Sequence, residues 1–358
     1  MTGQTPSQSL SDNSISNSTT LRRLPAEWEK HARTFMVWPA SQSIWGYELP
    51  DVRNDIAQIA RAIAKYEPVV VLAHPDQAQK AKSVLGTEIE VISAMVDDLW
   101  ARDTAPVFAE EAHKVVGIDF NFNGWGKKQK HANDAQVART ILAKYAIPRI
   151  QAPIVSEGGS LETDGQGTLL ITESSVVNDN RNPGRSRDEI EQDLKRVLGI
   201  KKVIWLQGVR GKDITDAHVD ALVRFVAPGV VILNRPAPGS PPDVWSRSSD
   251  QAKKVLQSAT DVRGSPLKII ELFEPDRKKI RGRGAEFLAS YVNYYVANGA
   301  VIVPQFGDEE ADKRAQQILR ECYPGRDIVP VEIDTLASGG GGIHCATHDQ
   351  PETPISQH

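Results

Sequence analysis

The sequence predicts one compact α/β domain built from repeated strand–strand–helix–strand units, and three features of the chain favour this fold class. Apolar runs of strand length, many of them rich in Val and Ile, recur along the chain. Amphipathic segments with helical spacing lie between these runs. The strands outnumber the helices and often occur in adjacent pairs, whereas a doubly wound sheet would alternate strand and helix strictly.

The predicted strands are short apolar runs in which β-branched residues are frequent, as a buried strand requires. They lie at residues 35–38, 69–73, 89–92, 115–118, 169–172, 203–206, 230–233, 268–272, 291–296, 300–303 and 328–331.

Apolar stripes at helical spacing predict the helices between these strands. One stripe covers residues 52–63, a second covers 190–198, and a third covers 311–322. Ser186 and Glu189 form the sequence pattern of a capping box ahead of the second helix. Further helices are predicted at 76–85, 134–145 and 250–259.

We expect the single folded domain to span residues 21–348, because no low-complexity linker or sequence repeat interrupts this range. Residues 1–20 are rich in Ser, Thr, Asn and Gln. They cannot bury enough apolar surface to offset the entropy of ordering, so a disordered tail is predicted there. The polar C-terminus, residues 349–358, is expected to fray.

The composition excludes several classes of protein. Lys and Arg number 42 against 46 Asp and Glu, a net charge of −4, so the chain lacks the basic surface of a nucleic-acid-binding protein. No apolar run approaches the roughly 20 residues that span a bilayer. The N-terminus lacks the pattern of a secretory signal, and the two cysteines indicate no disulfide framework. We therefore expect a cytoplasmic protein without nucleic-acid or membrane partners.

Four short segments place polar and reactive residues where a core strand would not have them. The first is residues 97–106, where three carboxylates, an arginine and a tryptophan lie between two apolar strands. The second is Glu157 followed by two glycines, a turn that would let the backbone approach a ligand closely. In the third, His218 and Asp220 are two residues apart, which in a strand would place them on one face. Such a pair suits either acid–base chemistry or a metal site.

The fourth segment joins a run of glycines, residues 339–342, to a cysteine. A glycine run costs backbone entropy that close approach or unusual dihedral angles would justify. Cys345 follows this loop and is predicted to be reactive. Cys322 lies on the apolar stripe of a helix and is predicted to belong to the core.

The combination of one cysteine, one histidine and several carboxylates favours a cationic substrate. A Cys–His protease needs no carboxylate cluster, because its amide substrate is neutral. A zinc site would require more His or Cys ligands than this chain clusters, so we expect no metal and no cofactor. A guanidinium fits better, because carboxylates accept its N–H groups in pairs and a thiolate can attack its weakly electrophilic carbon.

The four segments, in this order, resemble the active-site motifs of the guanidine-modifying superfamily. Within it, they are similar to the agmatine deiminase and Porphyromonas-type peptidyl-arginine deiminase family, over about residues 24–351. The resemblance implies a five-bladed, pseudo-symmetric α/β-propeller, the pentein fold, with strand–strand–helix–strand units around a central site. Further segments that match family motifs are residues 24–28, 36–39, 121–126 and 178–183.

The resemblance also implies a role for each matched residue. Cys345 attacks the guanidinium carbon and forms a covalent amidino-thioether, while Asp103 and Asp220 accept hydrogen bonds from the guanidinium nitrogens. His218 protonates the leaving ammonia and then takes a proton from the incoming water. Glu157 keeps His218 cationic and oriented. The other residues expected at the substrate are Trp100, Asp97, Asp216 and Ile214.

The implied reaction is the hydrolysis of agmatine to N-carbamoylputrescine and ammonia, a step of putrescine biosynthesis. Peptidyl-arginine or another alkylguanidine is the alternative substrate, because Ile214 stands where family agmatine deiminases carry an acid for the terminal ammonium. Two other classes are kept open: metal-dependent hydrolysis, with His218, Asp220 and Asp103 as ligands, and a non-catalytic binding module. Relatives commonly form homo-oligomers, and we expect the same here.

Overall fold

The computed structural model describes residues 22–282, 284 and 286–353. The disordered tail predicted at 1–20 lies outside the described residues, and so do residues 354–358 of the end that was predicted to fray.

Short strands and helices alternate along the described chain. The strands are β1 Arg22–Arg23, β2 His31–Val37, β3 Val69–Ala73, β4 Glu90–Ser93, β5 Val107–Glu111, β6 Lys114–Asp119, β7 Arg149–Gln151, β8 Glu162–Thr163, β9 Thr168–Thr172, β10 Lys202–Leu206, β11 Val223–Ala227, β12 Val230–Arg235, β13 Lys268–Phe273, β14 Tyr295–Ala297, β15 Ala300–Gln305, β16 Asp327–Glu332 and β17 His348–Pro351. The helices are α1 Gln42–Trp45, α2 Leu49–Ile63, α3 Pro75–Leu85, α4 Ala101–Thr104, α5 Gly124–Lys127, α6 Val137–Lys144, α7 Glu173–Val176, α8 Arg187–Leu198, α9 Val244–Ser258, α10 Glu309–Cys322 and α11 Asp334–Ser338. Short 3-10 turns lie at Gly46–Glu48, Asp134–Gln136, Gly158–Ser160 and Val219–Ala221.

Several sheets follow one plan, in which a hairpin is completed by a parallel third strand. In the first, β5 and β6 pair antiparallel, α6 crosses over, and β7 returns parallel to β6. The same order recurs in β8–β9–α8–β10, β11–β12–α9–β13 and β14–β15–α10–β16. Because a parallel return requires a crossover connection, one helix accompanies each set of three strands. The predicted strand–strand–helix–strand unit is therefore present.

A further sheet joins the two ends of the described chain. β17 pairs antiparallel with β2, and β3 and β4 follow in parallel through α2 and α3. The prediction that the C-terminus frays is therefore wrong at residues 349–351. These residues are held by the β2 pairing and by an ion pair of 3.1 Å between Asp349 and Arg102.

The long helices occur where the apolar stripes predicted them, and side-chain caps start α8, α9 and α10. In α2, Val52, Ile56 and Ile59 are completely buried. The predicted capping box of Ser186 and Glu189 is present at the start of α8. Helix α9 begins earlier than predicted, because a second capping box starts it. Its members are Asp243 and Ser246.

Two local predictions around the polar motifs are wrong. Residues 291–294 form a buried turn instead of extending β14. An apolar run in the sequence does not by itself distinguish a buried turn from a strand. His218 and Asp220 do not lie in a strand either: His218 precedes the 3-10 turn that contains Asp220, just before β11. The two side chains nevertheless meet in one cluster, described below.

Across the described ranges, no helix is long and apolar enough to cross a membrane.

Candidate active site

The polar segments that the sequence singled out converge on one site. Asp103 lies on α4, Glu157 immediately precedes one 3-10 turn, and His218 immediately precedes the turn that carries Asp220. These four side chains are buried. Cys345, in the turn between α11 and β17, is half-buried. Residues far apart in the chain therefore supply a thiol, a histidine and three carboxylates to a single place.

His218 lies between two carboxylates. Its Nε2 is 3.2 Å from Glu157 Oε2, and its Nδ1 is 3.7 Å from Asp103 Oδ1. Burial opposes the charged form, but Asp103 and Glu157 outweigh burial and raise the pKa of His218 to about 9. The imidazole is therefore cationic at neutral pH, and its Nδ1–H group faces Asp103.

Glu157 is fixed from the side opposite His218 by a buried arginine. Arg181 Nε donates to both Glu157 oxygens, at 2.8 and 3.0 Å, and both side chains are completely buried. Burial raises the pKa of Glu157, but Arg181 and His218 outweigh it, so the net shift is downward. Glu157 is therefore ionised and holds the ring of His218 in one orientation.

Both oxygens of Asp103 accept hydrogen bonds from neighbouring segments. Gly159 N donates to Oδ1 at 3.0 Å, and Trp125 Nε1 donates to Oδ2 at 2.8 Å. Trp125 has a φ of +54°, a left-handed conformation that is rare for a bulky residue and typical of strained functional sites. Burial and nearby carboxylates raise the pKa of Asp103, although His218 acts in the opposite direction.

Asp220 is the carboxylate that Cys345 contacts. Cys345 Sγ lies 3.4 Å from Asp220 Oδ2 and 3.3 Å from Asn293 Nδ2. The other oxygen, Asp220 Oδ1, is buried and accepts no hydrogen bond from the described residues. Buried carboxylate oxygens usually accept a hydrogen bond, so this atom is free to accept one from water or from a bound group.

The thiol of Cys345 is neutral in the free protein. Burial is the largest cause, and the negative charges of Asp220 and Asp103 add to it, so the pKa of Cys345 is raised well above its ordinary value. The cationic His218 does not overcome these effects. A cation placed between the two aspartates would favour the thiolate, as the sequence argument expected of a bound guanidinium.

A second histidine connects this cluster to the start of the chain. His344 Nδ1 lies 2.8 Å from Asp220 Oδ2, and its Nε2 lies 2.7 Å from Glu27 Oε2. Glu27 also accepts from Arg102 Nη2 at 2.8 Å and from Arg224 Nη2 at 2.9 Å. His344 therefore helps to fix Asp220, and Glu27, which pairs with Arg102 and Arg224, holds the other side of its ring.

Glycines let the backbone of one segment approach the side chains of another. A Cβ atom on Gly159 would lie 2.6 Å from His218 Nδ1 and 2.9 Å from Asp103 Oδ1. A Cβ atom on Gly341 would lie 2.3 Å from the ring of Trp100. Real Cβ atoms do not approach this closely, so these positions require glycine for space. Close approach thus explains the two glycine motifs that the sequence analysis noted.

A cavity of about 1010 Å³ opens beside His218. Its wall includes the apolar residues Ile214, Ala217 and Leu222 and the charged residues Lys212 and Asp213. The Pro-rich loop 236–243 also lines the cavity. Ile214 thus lies beside the catalytic cluster, while Trp100 is buried against α1 and the glycine loop.

Asp97 and Asp216 are buried, and protein groups already engage their carboxylates. Asp97 accepts from Asn133 N at 2.7 Å and from Asn133 Nδ2 at 3.0 Å. Asp216 accepts from Lys128 Nζ at 2.7 Å and from Arg181 Nη1 at 2.8 Å, and such bonds outweigh burial to lower the pKa of Asp216 to about 2. Substrate binding by these two acids stays a prediction, whereas their observed contacts hold loops in place. Neither carboxylate is exposed to solvent.

Several residues of the site were not assigned a role from the sequence. Arg181 and Trp125 lie within the segments 178–183 and 121–126 that match family motifs. The motifs therefore indicated these segments but not the contacts that the two side chains make. Asn293 lay within an apolar run that was interpreted as a strand. Only the tertiary structure brings its side chain to Cys345.

The arrangement can hold a planar cation between two carboxylates, with a thiol and an imidazolium close by. Carboxylates pair with a guanidinium through parallel N–H···O bonds. Within the part of the chain that the structure describes, no group of three or more His, Cys, Asp or Glu side chains is arranged to hold a metal ion.

Comparison with known proteins places this site in a family. A family model described as the Porphyromonas-type peptidyl-arginine deiminase matches residues 23–351. The agmatine deiminase of Medicago truncatula is 35% identical, over 92% of this chain and 96% of the relative. The agmatine deiminase of Stutzerimonas stutzeri is 37% identical, over 92% of this chain and 95% of the relative. The solved structure of the agmatine deiminase of Enterococcus faecalis superposes with a TM-score of 0.87 at 31% identity, over 93% of this chain and 97% of that one.

Proposed function

The chain belongs to the Porphyromonas-type peptidyl-arginine deiminase family, and from this premise we propose that it hydrolyses agmatine to N-carbamoylputrescine and ammonia. It is a hydrolytic, guanidine-modifying enzyme. The observation that carries the proposal is the environment of Asp220. One oxygen of this carboxylate lies 3.4 Å from Cys345 Sγ, and the other is buried without a donor from the described residues.

In the proposed first step, the guanidinium group enters between Asp103 and Asp220. Its N–H groups donate to these carboxylates, and Asp220 Oδ1 gains the donor that it lacks. The added positive charge favours the thiolate of Cys345, whose proton leaves to solvent. One cation replaces one proton, so the net charge of the buried site is unchanged.

The thiolate then attacks the guanidinium carbon and forms a tetrahedral adduct. His218 is cationic because its pKa is about 9, and it donates its Nδ1 proton to the departing nitrogen. Ammonia leaves, and an amidino-thioether remains on Cys345. Glu157, held by Arg181, keeps the ring in place while His218 becomes neutral.

Water completes the reaction. Neutral His218 takes one proton from the water that attacks the amidino carbon. The second tetrahedral adduct then expels the sulfur of Cys345, and its hydroxyl proton returns to this sulfur, so that the carbonyl forms and the neutral thiol is regenerated. The product is the carbamoyl compound. His218 has then regained the proton that it gave to ammonia, and the site is ready for another guanidinium.

A panel of guanidines tests this function. Purified protein is incubated with agmatine, free arginine and a blocked arginine peptide, and ammonia release and product mass are measured. We expect agmatine to be preferred over free arginine by at least roughly tenfold in kcat/KM. Absence of ammonia release from every guanidine would contradict the proposal. Loss of activity with EDTA but survival of iodoacetamide would favour the metal-dependent alternative.

Peptidyl-arginine deimination is the second candidate, and the cavity favours it. A volume of about 1010 Å³ exceeds what the short tail of agmatine needs, and Ile214 supplies no charge for an ammonium at this wall. Rapid conversion of the blocked arginine peptide, with slow conversion of agmatine, would select this candidate.

We also propose that the chain forms a single domain in which the sheets close into a five-bladed propeller around the site. The recurring strand–strand–helix–strand unit supports this closure. We further propose that the protein is cytoplasmic and that it forms a homo-oligomer. Light scattering on the purified protein would test the oligomeric state.

A further inference from the structure

The wall of the cavity beside His218 contains both apolar and charged residues. Its apolar residues include Ile214, Ala221 and Leu222. Such a surface suits the methylene chain of an alkylguanidine. The same wall also includes Asn234 and Glu274. A substrate tail in this cavity therefore has both apolar surface and a carboxylate available to it.

Glu274 is held in a fixed position relative to the catalytic turn. Its Oε1 accepts a hydrogen bond of 2.7 Å from Asn234 Nδ2. Asn234 in turn donates its backbone N–H to Leu222 O at 2.8 Å. Ser290 adds a second link, because its hydroxyl lies 3.1 Å from both Asn234 Oδ1 and Ala221 O. Asn234 thus connects Glu274 to the turn that carries Asp220, one of the two aspartates proposed to bind the guanidinium.

The other acids of the cavity wall serve their own turns or lie in solvent. Asp213 accepts from Ala217 N at 2.9 Å. Asp243 caps the start of α9, and Asp276 accepts from Lys278 N at 2.9 Å. Glu286 is exposed, so water screens its charge.

Glu274 is half-buried, and its charge lacks an ion-pair partner from the described residues. Burial raises its pKa, the bond from Asn234 partly offsets this, and the charge of Arg277 also favours the ionised form. Arg277 is exposed and donates to Phe287 O at 3.2 Å. A cation that displaced water from Glu274 would stabilise the ionised carboxylate.

We propose that Glu274 binds the positively charged end of the substrate tail and makes the site selective for guanidines that carry a second cation. The inference rests on the proposed function and deepens it, because it assigns the residue that recognises the tail. Ile214 carries no charge, so another residue of the cavity wall must supply the carboxylate for this task.

The test compares two substrates of equal length that differ in charge at one end. Agmatine ends in an ammonium, whereas n-pentylguanidine ends in a methyl group. For Glu274→Gln, we expect KM for agmatine to rise at least roughly tenfold, as for the loss of a hydrogen-bonded charge pair, with kcat little changed. KM for n-pentylguanidine should stay the same. Asp276→Asn removes the same charge from the same cavity and should leave both KM values unchanged.

Several results would overturn the proposal. Among them are equal effects of Glu274→Gln on both substrates, an agmatine effect of Asp276→Asn as large as that of Glu274→Gln, and equal KM values of the two substrates in the wild type. A thermal unfolding scan of each variant separates misfolding from lost recognition, and Glu274→Asp should recover part of the agmatine preference.

Calorimetric binding of both compounds to Cys345→Ser repeats the comparison without turnover. If the wild type released no ammonia from any guanidine, the proposed function would fail. Recognition by Glu274 would still be supported if Cys345→Ser bound agmatine more tightly than n-pentylguanidine and the double variant with Glu274→Gln lost this preference. Equal binding of the two compounds to Cys345→Ser would overturn it.

Discussion

Asp220 shows how a single residue can couple the protein's own charges to those of a ligand. One oxygen is committed to His344 and Cys345, and the other has no donor among the described residues. Leaving a buried acceptor unpaired costs roughly 1–3 kcal/mol, which a ligand with suitable N–H groups recovers. Under the proposed function, a donor-rich cation binds here, and its charge favours ionisation of the adjacent thiol.

The two cysteines should respond in opposite ways to the same substitution. Cys345→Ser should abolish ammonia release with little effect on thermal stability, because a hydroxyl is far harder to ionise than a thiol. Cys322 is half-buried on α10 and, chiefly through burial, has a pKa raised to about 11. Cys322→Ser should lower stability by about 1 kcal/mol and retain activity per folded molecule. Activity above a few per cent of wild type in Cys345→Ser would refute the nucleophile assignment.

The ion pair of His218 predicts a loss of stability at alkaline pH. The pKa of His218 is about 9 in the folded protein against an ordinary value near 6.5, so folding favours the protonated form. Its contribution, up to about 3 kcal/mol, is fully present below pH 6.5 and is lost as pH rises through about 9. Denaturant unfolding of the wild type between these pH values measures this loss.

His218→Asn supplies the control for that measurement. His31 also has a pKa raised to about 9, against the effect of burial, by Glu67 and its neighbours, so the wild type loses two such contributions and the variant loses one. The difference in unfolding free energy between the two proteins should shrink from pH 6.5 to 9. A difference that does not vary with pH would show that the His218 pair contributes no stability.

At the scale of elements, the short 3-10 turn after Glu157 sets the spacing of the catalytic groups. A methyl group on Gly159 would approach His218 and Asp103 and would lie 3.1 Å from Asp220 Oδ2. Gly159→Ala should therefore lower kcat/KM by roughly a hundredfold through misplacement of these groups. Steady-state kinetics on variants with verified folding measures the effect.

Gly184→Ala is the matched control for that variant. Gly184 has a φ of +70° and nothing within 4 Å of a built Cβ, so alanine there strains the backbone without touching the site. We expect some loss of stability and full activity per folded molecule. Equal activities of the two variants would mean that the spacing at Gly159 does not limit catalysis.

Local sequence patterns predicted the regular elements well and the catalytic turns less well. The stripe of α2 and the capping box of α8 are local features, so residues close in sequence determine them. The turn at 291–294 has the same apolar composition as a strand, and contacts with distant segments decide its shape. His218 and Asp220 were brought together as expected, although by a 3-10 turn instead of a strand.

The chemistry of the candidate site was predictable only as far as residue type and order allowed. The motifs predicted that Cys345 and the carboxylates around it would lie together, and its reactivity stays a prediction. Sequence could not reveal that Arg181 fixes Glu157 or that Asn293 contacts Cys345, because these pairs lie on distant segments. Likewise, the sequence predicted Asp97 and Asp216 at the substrate but could not reveal that protein groups already engage both buried carboxylates.

At the scale of the whole molecule, the fold brings both ends of the described chain to the site. The N-terminal segment supplies Glu27, and β17 begins three residues after Cys345 and pairs with β2. The buried network of Glu27, Arg102 and Arg224 lies between these segments. The recurring structural unit was predictable from strand pairing, whereas the connection between the two ends depends on long-range contacts.

The central claim is that Cys345 forms a covalent amidino-thioether with agmatine, and mass spectrometry of the quenched enzyme tests it most directly. His218→Asn is incubated with agmatine, quenched in acid and digested, because loss of the general base slows hydrolysis of the adduct. We expect the peptide containing Cys345 to gain the mass of agmatine less ammonia, with no gain on the peptide containing Cys322. Ammonia release by the wild type without this adduct on Cys345, together with activity in Cys345→Ser, would contradict the account.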